Sequence, residues 1–356
     1  MPMPCKIVCN WPPKFLCNSD NLYNSIMKFH LDFDIKKLQQ PLSHKQKLLL
    51  IGSCFTENIG EKLKKYKFSV LQNPNGILFN PVSVAEALVD YVDNTNFTEA
   101  DLFELNEGWH SWKHHSRFSA ITAEDALSRI NQSTKEANRY LKEADYLLIT
   151  LGSSWIYALT EKALNAKVGA VAANNHKAPA DWFYKRLMTT EEVLQVLDNV
   201  LHRLFVFNPG LKIIFTISPV RHLREGLIEN NRSKAVLIQA VHHLVDKFDK
   251  LFYFPAYELV IDDLRDYRFY AEDLVHPNYF ATQYVWEKFV DACVDQESKK
   301  IMEEIHSINL AYQHKPFNEK TEAHQEFKRK YLEKAIDLQK KFTSIDLKKE
   351  IEYFSQ

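Results

Sequence analysis

Glycine is scarce in this sequence, with only 8 among 356 residues. Neither of the glycine-rich patterns that cradle phosphate groups, GxGxxG or GxxxxGKS/T, occurs in it. Positive charge is not in excess either: the formal net charge is −1, which gives no electrostatic attraction to nucleic acid or to an anionic membrane surface. The sequence therefore predicts no cofactor, and neither a nucleic acid nor a membrane as a partner.

Cysteine is also rare, and the five present are Cys5, Cys9, Cys17, Cys54 and Cys293. An odd, small set in so long a chain does not fit a disulfide framework. The three N-terminal cysteines lack the histidine or second cysteine pair that a zinc site requires, so no metal site is predicted. No run reaches the roughly 18–20 apolar residues of a membrane span, and no signal-peptide core is found. We therefore expect a cytoplasmic protein.

Short apolar runs alternate with amphipathic helical patterns through most of the chain. The runs predict buried parallel strands at Lys47–Ile51, Phe68–Gln72, Asp145–Leu151, Leu211–Ile217 and Leu251–Pro255. The helical patterns cover Thr56–Lys65, Val82–Val92, Ala123–Lys142, Thr190–Val206, Asn230–Phe248 and Tyr279–Val294. This alternation predicts an α/β three-layer sandwich, with the functional site outside the carboxyl ends of the strands.

Composition divides the chain into three parts. Residues 1–26 are predicted to be a flexible leader, and an alternating pattern at Lys28–Phe33 predicts an edge strand at the start of a domain over 27–296. Over 297–356, charged and amide residues dominate and sparse apolar residues recur at helical spacing. This segment is predicted to be a helical extension that packs on the domain or on a partner chain, so a homo-oligomer through these helices is left open.

The end of the first predicted strand carries a candidate nucleophile. Gly52, Ser53 and Cys54 run directly into a helix, whose unpaired N–H groups and positive dipole end stabilise an anion. We expect this field to lower the pKa of a thiol and to hold an oxyanion. A Gly-Ser-Cys turn is by itself more often local geometry than catalysis.

A candidate acid–base pair lies far downstream. Asp273 and His276 are three residues apart, which lets the carboxylate accept one ring N–H and leaves the other ring nitrogen free to act as a general base. The alternative is that Asp273 caps a turn and His276 is a surface residue.

These two segments together resemble the SGNH (GDSL-type) hydrolase superfamily. More closely, Gly-Ser-Cys-Phe-Thr at 52–56 resembles the motif that names the GSCFA-domain family, with Thr56 in place of alanine. Further similar segments follow in order at 73–81, 151–155, 173–177 and 218–222, so that the resemblance covers 27–295. It implies a five-stranded parallel sheet in flavodoxin-like order.

The resemblance also implies roles for individual residues. Laid on the superfamily motif Gly-Asp-Ser-Leu-Thr, Cys54 falls on the nucleophile and Ser53 on the aspartate. We favour Cys54 because a thiolate is the stronger nucleophile near neutral pH, while Ser53 remains the alternative. The superfamily's oxyanion hole implies the nucleophile's own N–H, Gly76 and Ser154. Ser154 replaces an asparagine, and its hydroxyl reaches less far than an amide.

Other polar residues of the predicted strand-end loops are candidates for substrate binding. They are Asn80, Trp112, His114, His115, His176, Arg221 and His222. The histidines and aromatics of 109–117 suit a carbohydrate or aromatic substrate, or are a surface loop. Arg221 is placed to fix a carboxylate or phosphate, and no spacing among the histidines supports a metal.

The sequence thus predicts an acyl-ester hydrolase acting on a small-molecule or carbohydrate ester, with a triad of Cys54 or Ser53, His276 and Asp273. Two alternatives remain: an acyltransferase that uses a thioester donor, and a non-catalytic ligand-binding module that has kept the fold. The altered residue at Ser154 favours the last of these, and the presence of all three triad positions opposes it.

Overall fold

A five-stranded sheet organises the chain, and the computed structural model describes residues 31, 33–318 and 320–356. The strands are β1 (Lys47–Gly52), β2 (Ser69–Gln72), β3 (Phe103–Leu105), β4 (Gly108–His110), β5 (Tyr146–Leu151), β6 (Trp155–Leu159), β7 (Phe183–Leu187), β8 (Lys212–Ile217) and β9 (Leu251–Tyr253). The sheet has the order β2-β1-β5-β8-β9 and all its neighbours are parallel. The predicted strands and their flavodoxin-like order are confirmed.

The two antiparallel hairpins, β3–β4 and β6–β7, are additions that the sequence analysis did not predict. The first lies between α2 and α3, and the second lies between β5 and α4. Such connecting segments often carry the residues that surround a functional site.

Helices cover both faces of the sheet. They are α1 (Cys54–Lys65), α2 (Pro81–Asp93), α3 (Ala123–Glu143), α4 (Thr190–Phe207), α5 (Leu227–Lys247), α6 (Ala256–Glu258), α7 (Tyr279–Cys293), α8 (Gln296–Gln313), α9 (Glu322–Lys341) and α10 (Lys348–Ser355). A π-helical turn, Leu259–Leu264, follows α6 directly. In the described part of the chain, none of these helices combines the length and the apolar character needed to span a membrane.

Alternate strand residues divide the interior into two layers, because successive side chains point to opposite faces of a sheet. On one face, Leu49, Ile149 and Phe215 are fully buried in the core that α2, α3, α4 and α5 cover. On the other face, α1 packs on β1, β2 and β5 and contacts α7. The result is the predicted three-layer arrangement.

The carboxyl ends of β1 and β5 form the point where the strand order reverses. From β1 the chain passes to β2 on one side, and it returns to β5 on the other. In sheets of this kind the crevice beside that reversal is where ligands bind. It is also where the Ser53–Cys54 turn lies.

The C-terminal helices α8, α9 and α10 form a small core of their own. Glu350 in α10 forms an ion pair of 2.7 Å with Lys67, which follows α1, and both side chains are largely buried. The amide of Asn309 in α8 donates to the carbonyl of Lys65 at 3.0 Å. The predicted helical extension therefore packs on the end of α1 away from the site. Association with a second copy stays a prediction.

The predicted leader over 1–26 lies outside the described residues, as does the predicted edge strand at Lys28–Phe33 apart from residues 31 and 33.

Candidate active site at the carboxyl edge of the sheet

A tight turn joins β1 to α1. Gly52 has φ +140°, and a side chain there would place its Cβ 2.2 Å from the carbonyl oxygen of Thr150 on the neighbouring strand. The N–H of Ser53 donates to the same carbonyl at 3.1 Å. Ser53 is the N-cap residue of α1, and Cys54 is the first residue of the helix. Glycine at 52 is therefore required by the close approach of β5.

Cys54 is partly exposed at this turn. Its pKa is raised, and burial is the main cause. The backbone N–H groups of Cys54 and Phe55 and the charge of Lys234 act in the lowering direction, but they are outweighed. The helix N-terminus thus acts on this thiol in the predicted direction, but the net pKa is raised because burial disfavours a thiolate more than the helix end favours it.

The Asp273–His276 pair has the geometry that the spacing predicts. Oδ2 of Asp273 lies 2.6 Å from Nδ1 of His276, and Oδ1 accepts from the N–H groups of Val275 and His276. These bonds, the backbone one first, lower the pKa of Asp273 to about 2. Capping a turn and orienting an imidazole are therefore not alternatives here, since one carboxylate does both. Among the described residues, Nε2 of His276 has no hydrogen-bond partner.

Arg221 holds this loop at the end of β8. Its N–H donates to the carbonyl of Val275 at 3.2 Å, and its guanidinium donates to the carbonyl of Leu274 at 3.1 Å. The guanidinium also lies 3.9 Å from the ring centre of Tyr270. Arg221 was predicted to contact substrate. In this structure its guanidinium instead positions the loop that carries His276.

Lys234 is a site residue that the sequence analysis missed. It is 1% exposed, and its Nζ donates to the carbonyls of Gly152 and Ser218, both at 2.6 Å. Burial lowers the pKa of this amine to about 7, while the charge of Cys54 acts to raise it. The signal in the sequence was a lysine on the apolar face of α5, three and seven residues before Leu237 and Val241.

His222 connects the two parts of the site. Its ring meets Phe79 edge-on with centres 5.3 Å apart, and its Nε2 lies 3.3 Å from the place where a Cβ on Gly152 would be. Burial, followed by the charges of Lys234 and His276, lowers the pKa of His222 to about 4. No hydrogen bond in the described chain joins His276 to the Ser53–Cys54 turn. Electrostatic interactions link His276 to His222, His222 to Lys234, and Lys234 to Cys54.

The GSCFA family model matches residues 47–289, which is more than half of the chain. The chain belongs to the GSCFA family. A second model, the C-terminal domain of GSCFA domain proteins, matches residues 305–356. No curated protein matches the chain.

The two oxyanion donors implied by resemblance are already engaged in this GSCFA protein. The N–H of Gly76 donates to the carbonyl of Asn73 at 2.8 Å. Ser154 is fully buried, and its hydroxyl donates to the carbonyl of Ser233 at 3.1 Å. Both donors are bonded to backbone carbonyls, so the prediction that they form an oxyanion hole is not met in this structure. The N–H groups that do act on the thiol are those of the first turn of α1.

Three predicted substrate-binding residues form buried scaffold instead. Trp112 stacks on Phe103 with ring centres 3.8 Å apart. His114 Nδ1 lies 2.9 Å from the hydroxyl of Ser111, and His176 Nε2 lies 2.9 Å from the carbonyl of the same serine. Burial lowers the pKa of His114 to about 3 and that of His176 to about 4. In this structure they support the β3–β4 hairpin and do not form a substrate wall.

The remaining two candidates have local structural contacts. Asn80 is the N-cap of α2 and bonds the backbone and hydroxyl of Ser83 with its amide. His115 is the N-cap of a short 3-10 helix, and its Cβ lies 2.2 Å from where a Cβ on Gly76 would be. Of these two, Asn80 also borders a cavity.

That cavity, of about 260 Å³, opens beside His222 in this GSCFA protein. Trp155 and Tyr157, two residues apart on β6, present their rings to the same side, as alternate strand residues do. Asn174, Asn175 and Arg224 contribute polar groups. None of these five residues was predicted, although 155 and 173–177 lie within segments that carried the family resemblance. An aromatic pair at a spacing of two was the available signal.

Proposed function

We propose that this GSCFA-family protein hydrolyses acyl esters of a small molecule or sugar, with Cys54 as nucleophile and His276 as acid–base residue. The observation that supports this most is the Asp273–His276 pair, whose Nε2 has no hydrogen-bond partner among the described residues and whose loop docks on Arg221 after β8. A carboxylate-oriented imidazole with an unoccupied second nitrogen is the arrangement required of a general base. An SGNH-type relationship, suggested by the motif order and the strand order, is part of this proposal.

The choice between the two nucleophile candidates rests on exposure. Ser53 is 1% exposed, and its buried hydroxyl lacks a hydrogen-bond partner within the described residues. Cys54 is partly exposed and lies at the first turn of α1. A nucleophile must reach its substrate, so Cys54 carries the reaction, and Ser53 serves as the N-cap position.

The reaction proceeds in two steps. Sγ of Cys54 attacks the acyl carbon and a C–S bond forms as the ester C–O bond breaks, while the thiol proton passes through Nε2 of His276 to the leaving alcohol. Nε2 then takes a proton from water, the hydroxide attacks the thioester carbon, and the C–S bond breaks to release the acid. The sulfur recovers its proton from His276.

The oxyanion is held by the first turn of α1. The N–H groups of Cys54 and Phe55 already act on the sulfur, and the positive end of the helix dipole adds to them. This assignment replaces Gly76 and Ser154, whose donors are bonded elsewhere.

The cavity beside His222 accepts the alcohol part of the ester. Its rings and amides stand beside the charged side chains of Arg224 and Glu225, and this mixture of apolar faces and polar groups suits a small polar molecule such as a sugar. A cysteine nucleophile also exchanges readily with thioesters, which supports acyl transfer from a thioester donor as the second candidate.

The test is a panel of acyl esters and thioesters given to the full-length protein and to the Cys54→Ala and Ser53→Ala variants. We expect hydrolysis that is lost in Cys54→Ala and retained in Ser53→Ala. Transfer of the acyl group to an added alcohol faster than to water would assign the acyltransferase. Equal turnover by both variants and the parent protein would exclude a nucleophile at this turn.

A further inference from the structure

Lys234 is a lysine buried on the inner face of α5. Its side chain is 1% exposed, and no carboxylate of the described chain forms an ion pair with it. A buried amine without a counter-charge strongly disfavours the ammonium form. Leucine or methionine would fill the same position on the apolar face of α5 without this cost. The lysine is therefore a chemical feature of the site.

Two carbonyl groups fix the amine in space. Nζ donates to the carbonyl oxygens of Gly152 and Ser218, which follow the ends of the neighbouring strands β5 and β8. An amine nitrogen has three positions besides its carbon. Two are occupied by these donated bonds, so the third is either an N–H or a lone pair, depending on whether the amine holds its last proton.

Strand register places Cys54 at the same end of the sheet as Gly152, whose carbonyl accepts a hydrogen bond from this nitrogen. Gly52 and Thr150 are register partners in β1 and β5, so that Cys54 and Gly152 each lie two residues beyond the same pair. The charges of Cys54 and Lys234 act on each other in both directions. The other titratable groups around the pair are Glu57, near the thiol, and His222 and Tyr257, near the amine.

From this placement we propose that Lys234 is the proton partner of Cys54, taking the thiol proton to give a thiolate–ammonium pair. The S–H bond breaks, the third N–H bond of Lys234 forms, and the net charge of the pair does not change. When the thiolate attacks an ester, the ammonium releases this proton, and His276 passes it to the leaving alcohol. The inference deepens the proposed function, since it rests on Cys54 as the nucleophile.

The acid–base properties of the two groups agree with such an exchange. Burial lowers the pKa of Lys234 to about 7, and burial raises the pKa of Cys54. Each group alone favours its neutral form, whereas each charge stabilises the other. A thiol whose burial outweighs the effect of the helix end thus has a second route to the thiolate, through the neighbouring amine, whose pKa burial lowers to about 7.

The decisive experiment measures the alkylation of Cys54 by iodoacetamide as a function of pH, with the Cys54 peptide quantified by mass spectrometry. Lys234→Gln is the matched variant, because its amide retains two N–H donors for the two carbonyls but has no basic nitrogen. We expect the pH midpoint to rise by at least one unit and the rate at pH 7 to fall about tenfold or more. A folded Lys234→Gln protein with an unchanged profile would overturn the proposal.

A second measurement leaves Lys234 in place. In protein with ¹³C-labelled lysine, the Lys234 signal, assigned by its loss in Lys234→Arg, is titrated with and without Cys54→Ser. The amine is expected to titrate at a lower pH once the thiolate is gone, and an identical titration overturns the proposal even if Lys234→Gln does not fold.

These readouts need no substrate. Failure of the ester screen with intact coupling between Lys234 and Cys54 would reject the hydrolase and keep the pair. Hydrolysis with no such coupling would reject the pair alone.

Discussion

Nδ1 of His276 lies 2.6 Å from Oδ2 of Asp273, and the same carboxylate closes the turn that carries the imidazole. The turn and the tautomer are therefore set by one side chain. Both residues are about half exposed, so this orientation is maintained by local hydrogen bonds more than by burial. The loop docks on Arg221 at the end of β8, and it leads into α7, where Gln283 accepts a hydrogen bond from Lys62 of α1.

Removing this orientation should lower catalysis without unfolding the protein. We expect Asp273→Asn and His276→Ala each to reduce ester turnover by about 10²–10⁴-fold, the usual contribution of a positioned acid–base group. Asp266→Asn is the matched control, since Asp266 is a neighbouring exposed aspartate that caps a short helix in the same way. Full turnover in His276→Ala would exclude the imidazole as the base, and an equal loss in the control would indicate a loop effect.

Acid should destabilise the fold through the buried histidines. His114 and His176 are buried with pKa values of about 3 and about 4, whereas an unfolded histidine titrates near 6.5. Between these values the unfolded chain binds more protons than the native one, so stability falls as the pH is lowered from about 6.5 towards 4. Stability is fully present above that window. Urea unfolding at several pH values should show a slope of up to about 1.4 kcal/mol per pH unit for each histidine.

His114→Phe tests this assignment, because His114 already meets Phe97 and Phe118 edge-on. We expect the dependence of the free energy of unfolding on pH to become less steep, by the contribution of one histidine. Phe118→Leu is the control: it lowers stability at every pH through lost packing but keeps both histidines, so its slope should match that of the parent protein. An unchanged slope in His114→Phe would show that His114 is not the group that titrates.

The strands and helices were predictable to within a few residues because their signals are local. Buried parallel strands are continuous apolar runs, as in Leu48–Ile51, and the helices between them repeat apolar residues at helical spacing. The hairpin β6–β7 gave no such signal, since Phe183–Leu187 is a short strand of mixed polarity with an exposed tyrosine.

The site residues likewise differ in whether their partners are close in the sequence. Asp273 and His276 are three residues apart and could be paired from the sequence. Lys234 could not be connected to Gly152, 82 residues away, because only the packing of α5 on the strand ends brings them together. The net rise in the Cys54 pKa was not predicted for a related reason: the helix end, which lowers the pKa, is visible in the sequence, whereas the burial that outweighs it depends on tertiary packing.

Gly52 should be indispensable for joining β1 to α1. A Cβ at this position would lie 2.2 Å from the carbonyl oxygen of Thr150, and φ is +140°. We expect Gly52→Ala to lower the free energy of unfolding by more than the roughly 1–3 kcal/mol of an unfavourable backbone conformation, because the neighbouring strand must also move. Gly169→Ala is the comparison, since Gly169 has φ +84° but nothing within 4 Å of its added Cβ. Equal losses in urea unfolding would show that the contact with Thr150 contributes nothing.

The buried ion pair between Lys67 and Glu350 should determine whether the C-terminal helices stay docked. The two side chains are 18% and 8% exposed, with 2.7 Å between Nζ and Oε1. Glu350→Gln leaves the lysine charge largely buried without its partner, which typically costs about 3–5 kcal/mol. Asp181→Asn is the control, because its ion pair with Lys162 is more than half exposed and such pairs contribute about 0–1 kcal/mol. Amide hydrogen exchange should therefore accelerate across α10 in Glu350→Gln and remain unchanged there in Asp181→Asn. Since this contact lies at the far end of α1 from Cys54, the alkylation rate of the thiol should be unaffected. A change in that rate in Glu350→Gln would mean that undocking of the C-terminal helices alters the site through α1.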